Sequence, residues 1–503
     1  MSEATGKVVL SSANKVYFNN QAYALNITLT SPDGVVFPIN VSSLVSLIIE
    51  DDSEKWYKTA TLVISNPDNI LERKITSYPN YLPYKFRNDG RDLIGIQLLP
   101  VMDSNTIGVE DYEQYFQINY VFSVYNKEEI ITGADTKSKN LKLYLWEFDY
   151  QYLIEQNLSW STNKLLPSKI IPSQATDEQK LVYTGDAIKS LITEGLSYTN
   201  QTFSTEFWDK GSSKIFYSSY ANNNCIEDLE YLHKKHVSSK QDNGFEGESC
   251  VILRNRYSKV WNLVPYSTLF KNSSINKQDG PLQSEVFKID SSITNNVQNV
   301  ISTPKLPGGQ KVSFPVNSNI ANFEIVDMAA IDNTTFIVDM PCYSNSFKNK
   351  VFNLDYQDNT VTALKNYIQK NYTDRFSYLN NPKTLITLNK TKKESKSLIN
   401  AYSYAQNKTE RFADSRNILL KSALFLNLAI SFTVPGTSYR QSNTFIGIER
   451  EYPDIDNDFD NKALGQWLVT KVVHNITNST YTNSIMAVKV HSADDLYLKE
   501  DAE

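Results

Sequence analysis

The sequence predicts a mainly β protein with an α/β module in its middle, and three observations carry that prediction. Apolar residues alternate with period two through the first 150 positions. The period becomes helical between about 151 and 276. Strand-like alternation then returns near 414 and continues to about 490. Period two sets one face of a strand on a core, whereas i, i+3, i+4 spacing sets one face of a helix there. At 503 residues the chain exceeds what one hydrophobic core serves, so roughly two to four domains are expected.

Taken in order, 1–150 reads as strands. Tyr23, Leu25, Ile27 and Leu29 alternate with small or polar residues, as do Ile94, Ile96 and Leu98, then Phe116, Ile118, Tyr120, Phe122 and Val124. In 141–148, Leu141, Leu143 and Leu145 oppose Tyr144, Trp146 and Phe148, so a strand covered on both faces is expected. Several such strands with polar turns predict a sandwich or barrel. In 151–276, Ile188, Leu191 and Ile192 follow Thr184, a candidate N-cap. Asn224 with Glu227 has the spacing of a capping box. Ile226, Leu229, Leu232 and His233 share a face of that second helix, and 251–263 reads as a hairpin turning near Tyr257 and Ser258. Segment 277–410 is expected to be mixed, part barrel and part insertion. It has a turn or linker at 304–310, a strand at 333–340, a lysine-rich loop at 389–393 and a polar helix carrying Leu398, Ala401, Tyr402 and Ala405. Segment 411–495 returns to barrel strands, and 496–503 is a tail.

Composition excludes several classes. With 41% apolar residues, 23 Phe and 31 Tyr, large cores can be buried, while only 17 Gly and 17 Pro exclude collagen-like or low-complexity material. A net charge of −6 argues against a surface that grips phosphate backbones. The start, MSEATGKVVL, shows no apolar signal region, and the longest apolar run, 423–434, is too short to cross a bilayer. No membrane insertion is expected. Cys225, Cys250 and Cys342 are odd in number and scattered, which predicts a protein made in a reducing cytoplasm.

Catalytic and metal-binding patterns are sparse. His233 and His236 stand three apart on the second helix and could reach one metal, yet no third ligand is placed by spacing and Lys234 and Lys235 lie between them. A packed helix edge is the expectation. The acidic loop 454–460 starts like a calcium loop, but Phe459 and Gly465 occupy the positions where an EF-hand needs Gly and Glu. The chain has no G-x-S-x-G elbow, H-E-x-x-H, phosphate-binding loop or dinucleotide fingerprint. No catalytic residue, metal or cofactor is expected, and the many tyrosines suit strands and interfaces.

The most specific stretch is 432–490. Two apolar strands flank Val434-Pro435-Gly436. Arg440 follows, then a second strand and the acidic loop. Gly465-x-Trp467 opens a long strand with Val469, Val473 and His474, and Tyr481 leads the last strand. Trp467 is expected to anchor a barrel wall, and His474 to be a barrel histidine with a backbone partner. This order and spacing resembles the central hub proteins of contractile phage baseplates, the late-control-D-like family. Where that family often carries a second Gly after the Arg, this chain has Gln441-Ser442-Asn443.

The resemblance implies two barrels related to the tail-tube protein, plus inserted domains. It implies a structural virion protein of the tail baseplate, assembled in the host cytoplasm and not an enzyme. Its partners would be two further copies of itself in a homotrimeric ring, a spike below, a tail-tube or tube-initiator protein above, and other baseplate proteins around it. DNA would meet it only in passage. Two other classes stay open. A receptor- or glycan-binding tail adhesin would carry Gly-rich repeats or heptads, and a tail-associated glycan hydrolase would carry a marked acid pair or metal site.

Overall fold

In the computed structural model the described residues are, with short breaks, 15–67, 90–100, 117–132, 139–166, 175–219, 223–239, 250–265, 428–450 and 464–489, with Leu71 and the isolated strands 285–289, 323–327, 351–353 and 385–387. The features expected at 304–310, 333–340, 389–405 and 454–460 lie outside them.

The first eight strands are β1 (Lys15–Phe18), β2 (Gln21–Thr30), β3 (Val36–Ile39), β4 (Leu44–Asp52), β5 (Thr59–Ser65), β6 (Leu93–Pro100), β7 (Ile118–Ile131) and β8 (Lys139–Glu147). The middle module holds α1 (Phe148–Glu155), β9 (Val182–Tyr183), α2 (Thr184–Gly195), β10 (Phe203–Trp208), β11 (Lys214–Ile215), α3 (Cys225–Lys235), β12 (Cys250–Arg254) and β13 (Trp261–Pro265). After it come β14 (Glu285–Ile289), β15 (Phe323–Asp327), β16 (Val351–Asn353), β17 (Leu385–Thr387), β18 (Leu428–Pro435), β19 (Phe445–Arg450), β20 (Gly465–Thr477) and β21 (Tyr481–Lys489).

The protein is mainly β. One sheet of 14 strands runs β1-β2-β6-β7-β8-β5-β4-β20-β21-β18-β15, with β3 on β2, β19 on β20 and β14 on β19. Its pairings are antiparallel except β14 with β19. Among the described residues the strands expected to build two tube-like barrels lie in one continuous sheet.

Two cores lie along that sheet. The first gathers the inward positions of β1 to β8, including Leu25, Ile27, Leu47, Leu62, Ile96, Phe122, Leu143 and Leu145. Apart from Leu47 and Leu62, these are positions the alternation picks out. The second gathers Phe287, Ile430, Phe432, Val434, Ile446, Ile448, Trp467, Val469, Val472, Ile485 and Ala487. The hairpin β20–β21 serves both, because Ile476 and Tyr481 belong to the first core.

The middle module has a third core, in which α2 and α3 cover Ile252, Trp261 and Leu263 of the hairpin β12–β13. Asn224 accepts from the Glu227 N–H at 3.0 Å, and Glu227 accepts from the Asn224 N–H at 3.1 Å, so the capping box is complete. Two local expectations differ. Helix α2 begins at Thr184 itself, after Tyr183, with no side-chain cap. The Thr184 hydroxyl is engaged instead with His236 Nδ1 at 2.8 Å, a buried tertiary partner that outcompetes the local one. Strand β8 stops at Glu147, so Phe148 opens α1 and does not continue the outer face, where Tyr144 and Trp146 are half-buried. Among the described residues no helix is long and apolar enough to cross a membrane.

Candidate functional site

Of the motif residues, Pro435, Gly436, Arg440, His474 and Tyr481 meet at a buried polar seam where the two parts of the sheet meet, while Val434, Trp467 and Val469 lie in the second core. Strand β20 creates it. Along one edge β20 pairs with β21. Along the other it pairs first with β19, from Ile448↔Gly465 to Phe445↔Leu468, and then with β4, from Lys471↔Asp52 to Thr477↔Ser46. Between Val469 and Lys471 the register shifts, a β-bulge at Thr470. One extra residue reverses which parity faces inward. Trp467 and Val469 are buried before the bulge, and Val472, His474 and Ile476 after it. Val473 therefore ends half-buried on the opposite face, opposite Glu50. Regular alternation from Val469 would have placed Val473 inward, and nothing in the sequence marks the bulge.

Gly465 opens β20 at φ +118, a conformation that only Gly adopts freely. At the other end of the motif, Val434 lies in the second core and Pro435 closes β18. The Gly436 N–H donates to the Tyr481 carbonyl at 2.7 Å, and a Cβ on Gly436 would collide with the Tyr481 ring. The Gly436 carbonyl accepts from the Tyr23 hydroxyl at 3.1 Å. Phe18, Tyr23 and Tyr481 pack as a buried trio, with ring centroids 5.5 to 5.9 Å apart. Edge-on contacts of this kind add to simple area burial.

Arg440 is buried and donates to the Pro435 carbonyl at 2.5 Å and to Asn483 Oδ1 at 2.9 Å. The same Asn483 oxygen accepts from the Thr437 N–H at 2.7 Å. The Asn483 amide and the Tyr481 hydroxyl both reach His474 Nδ1, at 2.9 and 2.8 Å. His474 also makes a backbone hydrogen bond with Arg440. Burial, helped by Arg256 and Arg440, holds the His474 imidazole neutral, with its pKa down at about 3. A neutral ring accepting at Nδ1 fits two donors there.

The loop 436–444 is tied on its far side to β4. Ser442 donates to Asp51 from its hydroxyl at 2.5 Å and from its N–H at 3.2 Å, and Lys58 pairs with Asp51 at 2.5 Å. Burial pushes the Asp51 carboxyl up, but Lys58 and the Ser442 hydrogen bonds outweigh it and bring it net below 3.8. Asn443 takes φ +60, a left-handed conformation that Asn tolerates better than most side chains. The hairpin β12–β13 reaches the same seam through Arg256, which donates to the carbonyls of Gln117 at 3.0 Å and Arg440 at 3.5 Å. Arg254 pairs with Asp149 on α1, and Trp261 packs on Trp56 at 4.9 Å. Sequence reasoning found neither Arg256 nor Asp51. Both are single residues, and the partners that tie them to the seam, Gln117 and Arg440 for Arg256 and Ser442 for Asp51, are distant in the chain.

His233 and His236 do not converge. His233 Nε2 bonds the Cys250 carbonyl at 2.7 Å, while His236, the residue after α3, turns to Thr184. Among the described residues no group of His, Cys, Asp or Glu could hold a metal. One cluster superficially resembles a catalytic triad: His236 Nδ1 meets the Thr184 hydroxyl and its Nε2 lies 3.5 Å from Asp209. All three side chains are buried, and Asp209 is also held by Ser238 at 2.7 Å and by the Ser239 and Gly211 N–H groups. A hydroxyl sealed there cannot meet a substrate, and the cluster pins α2, α3 and the end of β10 together.

No family model and no curated protein matches the sequence. Among solved structures, the chain is similar to the tail protein from Neisseria meningitidis MC58, at 8% identity and TM-score 0.43 over 93% of this chain and 96% of that one. It is similar to the 43 kDa tail protein of prophage MuSo2 from Shewanella oneidensis, at 9% identity and TM-score 0.43 over 92% and 98%. A third, the E. coli c3393 protein, described as a component of the type VI secretion system, aligns at 6% identity and TM-score 0.32 over 90% and 75%.

Proposed function

We propose that this chain is a structural virion protein, the central hub of a contractile-tail baseplate. Three copies form a ring around the tail axis. Each presents two barrel-like walls, so the ring offers six near-equivalent walls to a six-fold tube on one face and three-fold symmetry to a cell-puncturing spike on the other. Heterologous contacts that close into rings are ordinary in such assemblies. Tail-tube or tube-initiator protein above, spike below and other baseplate proteins around it are its partners. DNA passes through without being held, which suits a net charge of −6.

The observation that carries this proposal is the sharing of β20. A single strand is hydrogen-bonded into both parts of the sheet and contributes to both cores. Two walls joined in that way move as one body, as an adaptor between two symmetries must. The role is mechanical, with no catalytic step. Mass measurement on the intact chain, alone and mixed with its spike partner, tests it. A monomer or weak oligomer should become a trimer on mixing, and a chain that stays monomeric with the spike would count against the ring.

A further inference from the structure

A run of touching aromatic rings leads from the outer face of the sheet into the middle module. Measured between ring centroids, Tyr125 on β7 lies 4.1 Å from Trp146 on β8, and Trp146 lies 5.1 Å from Tyr150 on α1. Tyr150 stacks on Tyr57, in the β4–β5 connection. Behind them Trp56 meets Tyr57 at 5.4 Å and Trp261 on β13 at 4.9 Å. Tyr125, Trp146, Tyr150 and Tyr57 are half-buried, whereas Trp56 and Trp261 are buried.

The contact between Tyr57 and Tyr150 is the tightest of the run. Its centroids are 3.6 Å apart and its planes 18° from parallel. Aromatic pairs ordinarily settle about 4.5–7 Å apart, offset or edge-on. Burial first, and then the Tyr150 hydroxyl, pushes the Tyr57 phenol up, so the two hydroxyls lie at the same end of the stack. The rings therefore overlie one another the same way round, and the carbon beside each hydroxyl faces its counterpart. Reacting atoms about 3–3.5 Å apart stand near an attack geometry. Other described tyrosine pairs meet less well. Tyr217 and Tyr231 are 5.0 Å apart, with the Tyr217 hydroxyl held by Asp228 at 2.5 Å, and Tyr152 and Tyr198 meet edge-on at 66°.

We infer that Tyr57 and Tyr150 are a modification site, joined under one-electron oxidation into a dityrosine that staples the β4–β5 connection to α1. The co-reactant is a peroxide acting through one-electron steps. Each phenol gives up an electron to it and its O–H proton to water. The two radicals pair to form one C–C bond between the ring carbons beside the hydroxyls. Each bonded carbon then loses its hydrogen to the neighbouring oxygen, which restores both phenols. The protein is oxidised by two electrons and loses two hydrogen atoms, while the peroxide O–O bond is cleaved and reduced. Half-burial leaves each ring an open side into which it can turn as the bond forms.

Tyr125 and Trp146 give an oxidant at the surface a path of touching rings to this pair. Among the described residues Cys225 and Cys250 form no disulfide. The dityrosine would be a covalent tie of another kind, one that thiol reductants do not open. Any cross-link between distant residues constrains the unfolded chain, so the stapled protein should melt at a higher temperature.

Illumination of the purified full chain with a ruthenium tris-bipyridyl sensitiser and persulfate, itself a peroxide, tests this. The product is digested and mapped by mass spectrometry, with dityrosine fluorescence as a second readout. The expected main product joins the fragments holding Tyr57 and Tyr150 within one chain and is lighter by two hydrogen atoms. Tyr57→Phe and Tyr150→Phe each keep the ring and should each remove that product. Unfolding the parent chain in urea before illumination should lose it too. Oxidised tyrosines without the Tyr57–Tyr150 link, a link formed equally well between Tyr217 and Tyr231, or the same yield from the urea-unfolded chain would each overturn the assignment.

Discussion

The Gly436 N–H donates to the Tyr481 carbonyl at 2.7 Å, and the Tyr481 ring fills the space where a Gly436 side chain would stand. The end of β18 and the start of β21 are thereby held at the closest approach that two chains allow. Tyr481 belongs to the first core and Val434, two residues before Gly436, to the second. This contact continues the β18–β21 ladder to the boundary between the two cores.

Gly436→Ala should be destabilising because Tyr481 is fully buried and cannot retreat. A loss of about 1–3 kcal/mol is expected, the usual range for overpacking a well-filled site. Urea unfolding checks it, and a midpoint equal to that of the parent protein would contradict the packing assigned here.

Trp467 is fully buried in the second core. Trp467→Ala should cost about 3–5 kcal/mol, as aromatic truncation in a core does. An unchanged melting temperature would rule out that role.

Asn443 supplies the left-handed turn that brings Ser442 onto Asp51. Asn443→Gly should be close to neutral, and Asn443→Val should cost about 1–2 kcal/mol through its Cβ in that conformation. If thermal denaturation ranks the two the other way, the turn is not held as described.

Acid sensitivity follows from His474. Its pKa falls from an ordinary 6.5 when unfolded to about 3 when folded. Between those values the unfolded chain binds the proton and the native chain does not, so stability is complete above pH 6.5 and declines as pH drops toward 3. The decline is at most about 1.4 kcal/mol per pH unit. Asp51 and Asp209 act in a lower window. Burial raises both carboxyls, but their partners, Lys58 and Ser442 for Asp51 and His236 with Ser238 and Ser239 for Asp209, lower them net below 3.8. Their stabilisation is present above that value and lost as pH falls beneath it. Stability measured from pH 7 to pH 3 should show the first decline, and His474→Gln should flatten it. A His474→Gln profile with the parent slope would contradict the assignment.

Legibility of the chain followed the range of the forces involved. The strands around Leu25, Ile96 and Leu143 could be read because a core on one side imposes period two locally. The capping box at Asn224 was equally local. The order from Val434 to Tyr481 is visible as a pattern of residue types, but the left-handed backbone of Asn443 is not marked by a glycine. The bulge at Thr470 was not visible, since it is fixed by β4 arriving beside the second half of β20 only. Arg256, Asp51 and the true partner of Thr184 were missed for the same reason: each acts across a long stretch of chain, and a single sequence holds no record of such meetings.

The most direct test of the central claim is a reconstruction of the intact particle that counts copies of this chain around the tail axis. Three copies in one ring, each with both walls facing the axis and a lumen lined by neutral or acidic residues, are the expected result. Six copies, a position out on a fibre, or a lumen lined by Lys and Arg would contradict it.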